Sequence, residues 1–309
     1  MPTKAEWDAR FSAWGSPPSQ TEQNKSDNAV RAVRAAIEAS PALVALGVSV
    51  FPQGSYRNRT NVRAESDVDV CAYCPNPFFY DVPAGTTPSQ FQIGPPACTF
   101  AQYRANVGAA LVSHFGARSV RAGSKAFEIH ENTNRIAADA VPVFEYRGYQ
   151  FALPPVLGTG FESQGRLIVN YPEQHYNNGV AKNKATGRRF KVIARILKRL
   201  RYEMEGAGFA TASNVASFEL ESMVWNVPLD RFGVISSPLL AALWPSTGVR
   251  EPLKAVMEYL YAGLASDQAC AGWKEVNGIK PLFGSGQPWT REGARAFLVN
   301  AWAYAELDQ

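Results

Sequence analysis

The chain has 309 residues, of which 46% are hydrophobic and 19% charged, enough to bury a sizeable core and typical of an ordinary soluble protein. Its net charge of +4 permits contact with nucleic acid without diagnosing it, so the placement of charge must carry that argument. The N-terminal stretch MPTKAEWDAR lacks the apolar core of a signal peptide, and no apolar run reaches the roughly 18 residues of a membrane span. These features exclude a membrane partner and predict a soluble, cytoplasmic protein. Cys71, Cys74, Cys98 and Cys270 are too scattered for a disulfide framework, so thiols are expected. Cys71 and Cys74 form a CxxC without a second pair or nearby histidines to complete a zinc site. His114, His130 and His175 lie apart from one another and from acidic partners in sequence, which suits core or surface histidines.

In chain order, residues 28–39 carry apolar and basic positions at helical spacing behind the capping residues Ser26, Asp27 and Asn28, predicting a long N-terminal helix. The stretch VSVFPQGS reads as a strand entering a turn, and SDVDVCAYC as a second strand. Residues 75–97, rich in Pro and Gly, read as a long loop. A helix is expected over 100–115. Three strands then follow in RSVRAGSKAFEIHE, NRIAADAVPVFEYR and GYQFAL, before PPVLGTG breaks the pattern. From about residue 180 the chain reads as mostly helical. The simplest division is an α+β lobe over 1–165 and a helical lobe over 166–309.

The stretch QGSYRNRTNVRAESDVDV concentrates the chemistry. Side chains alternate across a strand, so Asp67 and Asp69 share one face while Val68 and Val70 share the other and can pack inward. Two carboxylates this close repel, unless a cation such as Mg²⁺ neutralises them. A strand-borne DxD by itself also fits a solvated sheet edge. Gly54 and Ser55 upstream change the balance, because a glycine lets backbone approach a phosphate and a serine hydroxyl can hold phosphate oxygens. A third carboxylate is then demanded. Asp139, a single acid among small and apolar residues, meets that demand better than Glu145, whose neighbours Tyr146 and Arg147 suggest a strand end.

At these residues the chain resembles the nucleotidyltransferases of DNA polymerase β type. Together with ADAVPVFE, the same stretch looks most like the bacterial cGAS/DncV-like nucleotidyltransferases, or CD-NTases. Flanking segments extend the likeness over most of the chain: SPPSQTEQNKSDNAVRAVRAAI, NYPEQHYNNGVAKNKATGRRFKVIARILKRL and GIKPLFGSGQPWTREGARAFL. The resemblance implies a polymerase β-like α+β core with a mixed sheet and a long N-terminal helix, a C-terminal helical lobe, and an active-site cleft between the lobes. It implies template-independent synthesis of a cyclic di- or trinucleotide messenger from nucleoside triphosphates, with release of pyrophosphate, in bacterial anti-phage signalling. Two Mg²⁺ or Mn²⁺ ions would be held by Asp67, Asp69 and Asp139. The implied partners are ATP, with UTP, CTP or GTP as further substrates, and a downstream effector that binds the cyclic product.

Between Lys182 and Arg201 stand nine Lys or Arg residues and no acid, where an ordinary solvated helix face would interleave both signs. Lys191, Arg195 and Lys198 form one stripe, with Phe190, Ile193, Ala194 and Leu197 on an apolar face. The resemblance assigns Lys191 and Ser217 to the triphosphate, and nucleotide contacts extend to Gln53, Gly54, Ser55 and Arg195. Phe218 reads as a core residue or a base-stacking ring. Asn170, a turn asparagine in the plain reading, has an amide that can read a base edge. The sequence shows no His and Cys cluster of the kind through which animal relatives sense DNA, so no DNA activator is implied. The competing enzyme reading, an RNA or tRNA 3′-end nucleotidyltransferase, would want a broader basic surface. A non-catalytic nucleic-acid sensor would have no reason to keep three costly acids.

Overall fold

Two hydrophobic clusters organise the chain, each in its own unit. The structure, a computed structural model, describes residues 2–62, 67–150, 153–233 and 248–308. The helical unit comprises residues up to Pro18, the span Asn58–Val62 and the chain from Gln174 onward; the sheet unit comprises Ser19–Arg57 and the described residues from Asp67 to Glu173. The α+β architecture, with a mixed sheet, a long helix near the N-terminus and a helical C-terminal domain, is the one expected.

In the sheet unit, helix α2 (Gln20–Glu38) follows α1 (Lys4–Gly15) of the helical unit. The α2 N-terminus is set by Ser19, whose hydroxyl accepts from the Glu22 amide while the Glu22 carboxylate accepts from the Ser19 amide, a reciprocal cap. The cap therefore lies upstream of residues 26–28, and Ser26 is inside the helix with its hydroxyl donating to the Glu22 carbonyl. A short α3 (Pro41–Ala45), strand β1 (Ser49–Pro52) and α4 (Gly54–Asn58) lead to β2 (Val68–Asp81). Helix α5 (Phe100–Phe115), β3 (Val120–Ala122), β4 (Phe127–Ile129) and β5 (Ala138–Gly148) follow. The hairpin β6 (Val156–Ser163) and β7 (Arg166–Asn170) completes the seven-stranded sheet.

Strand β2 pairs antiparallel with β1 and parallel with β5, while β5 pairs with β4 near its start and with β6 at its end. Val68 and Val70 are fully buried in one cluster with Val33 and Ile37 of α2 and Tyr103 and Leu111 of α5. Burying each valine contributes about 1.5–3 kcal/mol. That apolar face leaves the acidic face of β2 free for chemistry.

The sheet differs from the sequence reading in several places, among them RSVRAGSKAFEIHE, which forms the two paired strands β3 and β4. Residues 75–81 continue β2 past an irregularity between Cys74 and Phe78, because a proline cannot donate to a ladder and is tolerated at a bulge. The stretch 154–160 contains most of the way into β6 rather than a break. Its glycines are packing devices: a Cβ on Gly158 would come within 2.7 Å of the Asn170 carbonyl oxygen, and one on Gly160 within 2.8 Å of the Phe79 ring. GYQFAL is not a strand of its own, since Gly148 ends β5, Tyr149 and Gln150 form a turn and Leu153 a bend; Phe151 and Ala152 lie outside the described residues.

In the helical unit, α6 (Pro172–Ala185), which begins at the unit boundary, is followed by α7 (Arg189–Gly206), α8 (Ala210–Ser213), α9 (Ser217–Asn226), α10 (Arg250–Gly263), α11 (Asp267–Cys270) and α12 (Arg291–Tyr304). The break between α6 and α7 uses Gly187 and Arg188, both at positive φ, and α7 restarts with the Thr186 hydroxyl accepting from the Phe190 amide. Phe190, Ile193, Leu197, Leu200 and Met204 of α7 are fully buried with Trp7 and Phe11 of α1. Helix α1, which the sequence reading did not anticipate, thus completes the core of the helical unit. Among the described residues no helix is long and apolar enough to cross a membrane.

Candidate active site

The register of the sheet places the acids. Asp69 of β2 stands opposite Asp139 of β5, and Glu128 of β4 is opposite Asp139 on its other side. Asp67 precedes β2 and is exposed, while Asp69 and Asp139 are half-buried. Burial, reinforced by Asp139 and then Asp67, pushes the Asp69 carboxyl up to about 6. The Asp139 carboxyl is likewise raised by burial and by Asp67 and Glu128. For Asp67 the causes are burial, Glu128 and Glu131. Asp139 Oδ1 is buried with no hydrogen-bond partner among the described residues. Such an oxygen is costly unless something outside the protein satisfies it.

Glu145 is different. Its carboxylate accepts from the Tyr73 hydroxyl and from Arg147 Nε, so this acid is already supplied with partners. Among the described residues no three His, Cys, Asp or Glu side chains stand ready as one ligand set. The acids nevertheless share the chemistry of hard oxygen donors, and the raised carboxyls and the orphaned Asp139 oxygen suit a divalent cation.

The Gly54–Ser55 turn lies beside this pair. Gly54 has φ +66, and a Cβ built on it would overlap Asp69 Oδ2, so both conformation and space require glycine. The turn is tied to β2 by the Gln53 amide, which donates to the Asp69 carbonyl at 2.9 Å. The Gln53 side-chain oxygen accepts from the Cys71 thiol at 2.9 Å. Cys71 and Cys74 are buried free thiols. Gly54→Ala is expected to lower synthesis by about a hundredfold, because a clash of this kind displaces the carboxylate by of the order of 1 Å. Circular dichroism alongside the rate assay separates that loss from misfolding.

The remaining nucleotide candidates are dispersed. Asn170 ends β7 opposite Thr159. Ser217 opens α9, its hydroxyl 3.3 Å from the Tyr202 hydroxyl. Phe218 is 37% exposed, not a core residue, and lies against His175 and Trp289. Lys191 is half-buried, and burial, then the Arg195 and Arg59 charges, lower its ammonium while Glu221 opposes them. No partner for its Nζ occurs among the described residues.

Beyond Lys191 the residues of the basic stripe are buried and paired. Arg195, expected at a nucleotide, is 5% exposed and donates to the carbonyls of Gly15 and Arg59. Lys198 is 2% exposed and pairs with Glu221 at 2.5 Å. His175 Nε2 is 3.0 Å from the same carboxylate. Burial pushes the Glu221 carboxyl up, but Lys198 and His175 outweigh it and hold the group well below its ordinary value. Nothing in sequence spacing links His175, Lys198 and Glu221, since three separate helices bring them together.

Comparison with known proteins finds relatives along the whole chain. The profile of the cGAS/DncV-like nucleotidyltransferase C-terminal helical domain matches residues 177–306. The cyclic dipyrimidine nucleotide synthase CdnE of Legionella pneumophila is 37% identical over 97% of this chain and 98% of its own. That of Cecembia lonarensis is 35% identical over 96% and 98%. The structure of the Rhodothermus marinus CdnE c-UMP-AMP synthase with Apcpp and Upnpp superposes with a TM-score of 0.81 at 27% identity, covering 98% of this chain and 97% of that one.

Proposed function

The chain belongs to the cGAS/DncV-like nucleotidyltransferases and is a cyclic dinucleotide synthase of their CdnE branch; from this we propose that Asp67, Asp69 and Asp139 form its reaction centre and that it joins two pyrimidine nucleotides. The observation that carries the first part is the register of Asp69 against Asp139 beside a glycine that no other residue can replace. The second part is supported by full-length likeness to two relatives named as dipyrimidine synthases.

The family is typically metal-dependent. Asp67, Asp69 and Asp139 would hold two Mg²⁺ or Mn²⁺ ions, whose chemistry when bound is to acidify an attacking ribose hydroxyl and to stabilise the leaving oxygen of pyrophosphate. Gly54 lets the Asp69 carboxylate lie directly against the turn, and the Ser55 hydroxyl donates to a phosphate oxygen. Lys191 supplies a cation whose burial strengthens its pull on the triphosphate. Ser217 adds a hydroxyl, and the Gln53 amide orients the turn. The Asn170 amide offers a donor and an acceptor to a pyrimidine edge.

Two bonds are made in succession. The first joins two nucleotides and leaves a linear intermediate that retains one triphosphate. That triphosphate then becomes the donor, the hydroxyl at the other end attacks it, a second pyrophosphate leaves and the ring closes. The product, a diffusible messenger for a downstream effector, has no free terminal phosphate. Incubation with each labelled triphosphate and Mg²⁺ or Mn²⁺, followed by phosphatase and mass spectrometry, is expected to give a phosphatase-resistant cyclic dipyrimidine. Asn170→Ala should change base composition more than total triphosphate affinity. Ladders of linear chains would favour the RNA-polymerising reading, and unchanged base composition would remove Asn170 from base selection.

A further inference from the structure

We propose that Thr60, Lys198, Glu221 and Arg195 are positioning residues for the reaction, a clamp on the span that joins Gly54–Ser55 to Asp67–Asp69; this rests on the reaction centre assigned above. Between those two motifs the chain leaves the sheet unit, joins the helical unit for Asn58–Val62 and returns. The span is not a surface loop there. Thr60 is fully buried, and Asn58 and Asn61 are 8% and 6% exposed.

The anchoring bonds converge on two consecutive residues. The Thr60 hydroxyl donates to Glu221 Oε2 at 2.5 Å, while Lys198 Nζ lies 3.1 Å from the same hydroxyl and 3.3 Å from the Thr60 carbonyl. Arg195 Nη1 donates to the Arg59 carbonyl at 2.7 Å, and its other nitrogens reach the Gly15 carbonyl. Arg59 itself has φ +53, a left-handed conformation unusual for a side chain of this type and held only where the surroundings enforce it.

A purely structural ion pair would not need this arrangement. Lys198 and Glu221 already neutralise each other, and His175 occupies the second carboxylate oxygen. The further bonds of Lys198 and Glu221 go to Thr60, in the span between the motifs. Their net effect is to hold its middle at Thr60, five residues after Ser55 and seven before Asp67. Reacting groups displaced by about 1 Å can lose a hundredfold in rate, so a span pinned midway limits how far either motif can drift. This also accounts for basic residues on α7 that point inward, where the sequence alone suggested an outward anionic partner.

Thr60→Val removes the hydroxyl with little change in shape and leaves Lys198, Glu221 and His175 paired. The variant is expected to keep its melting temperature within a few degrees while kcat falls by about 10- to 100-fold, with KM for the triphosphates changed by less than about threefold. Thr60→Ser should restore the rate, and amide exchange over residues 54–62 should quicken in Thr60→Val alone. Arg195→Lys, which keeps the charge but cannot span two carbonyls, should show the same loss of kcat. A folded Thr60→Val that turns over at the wild-type rate overturns the proposal, as does a Thr60→Ser as slow as Thr60→Val. Asp69→Asn run in parallel separates the two readings. An active Asp69→Asn sinks the reaction centre, whereas an inactive one beside a full-speed Thr60→Val sinks the clamp alone.

Discussion

Asp69→Asn is expected to lower cyclic dinucleotide synthesis by about a thousandfold or more, because a carboxylate that holds a cation at a phosphoryl-transfer centre contributes several kcal/mol to the transition state. The same substitution should stabilise the metal-free protein. Burial, with Asp139 and Asp67, raises the folded Asp69 carboxyl from 3.8 to about 6. A group raised on folding contributes stability that is full below its unfolded value and is lost as pH rises through the folded one. At pH 7 the ionised side chain therefore costs on the order of 2–3 kcal/mol, at 1.36 kcal/mol per unit. Asn keeps the shape and drops the charge. Urea unfolding in the presence of a chelator should show Asp69→Asn more stable than wild type by about 1–3 kcal/mol at neutral pH, with the gap closing below about pH 4. Wild-type turnover in this variant would remove Asp69 from the reaction centre, and an unchanged stability would show that its carboxyl is well solvated.

Lys198→Met should have the largest effect on stability. It leaves the Glu221 carboxylate, 3% exposed, with His175 and Thr60 but without its ammonium partner, and stranding one member of a buried pair costs about 3–5 kcal/mol. The urea midpoint measures this. Because the folded Glu221 carboxyl lies below its ordinary 4.5, the wild-type contribution is present above that pH and is lost as the solution is acidified further. The difference between wild type and Lys198→Met should accordingly narrow in acid. Replacing Glu221 by Met as well should recover part of the loss, since removing both charges spares the desolvation cost. A cost under about 1 kcal/mol for the single variant would mean that the pair behaves like a surface one.

The acids proposed as the reaction centre could be read from the sequence because each clue was local. Alternation on a strand puts Asp67 and Asp69 opposite Val68 and Val70, and an acid surrounded by small apolar residues marks Asp139; both follow from the period of two and the cost of burying charge. The resemblance carried by Gly54, Ser55 and these acids then reached the right family and the α+β fold. The elements that failed were those whose local signal tertiary packing overrides. Pro75 and Pro77 read as a loop, yet a bulge lets β2 run on to Asp81. Gly158 and Gly160 read as a break, yet they admit the Asn170 carbonyl and the Phe79 ring into the sheet.

The basic helix marks the boundary most clearly. Composition alone determined that the run from Lys182 to Arg201 must meet something anionic or solvent. Only the fold decided which residue meets what: Lys191 Nζ meets no partner among the described residues, Arg195 turns to the carbonyls of Gly15 and Arg59, and Lys198 turns to Glu221. Helical spacing gives each side chain a direction on its own helix. It says nothing about a carbonyl on residue 59 or a carboxylate on residue 221, because those partners are distant in sequence and are set by how α1, α7, α9 and the Asn58–Val62 span pack together.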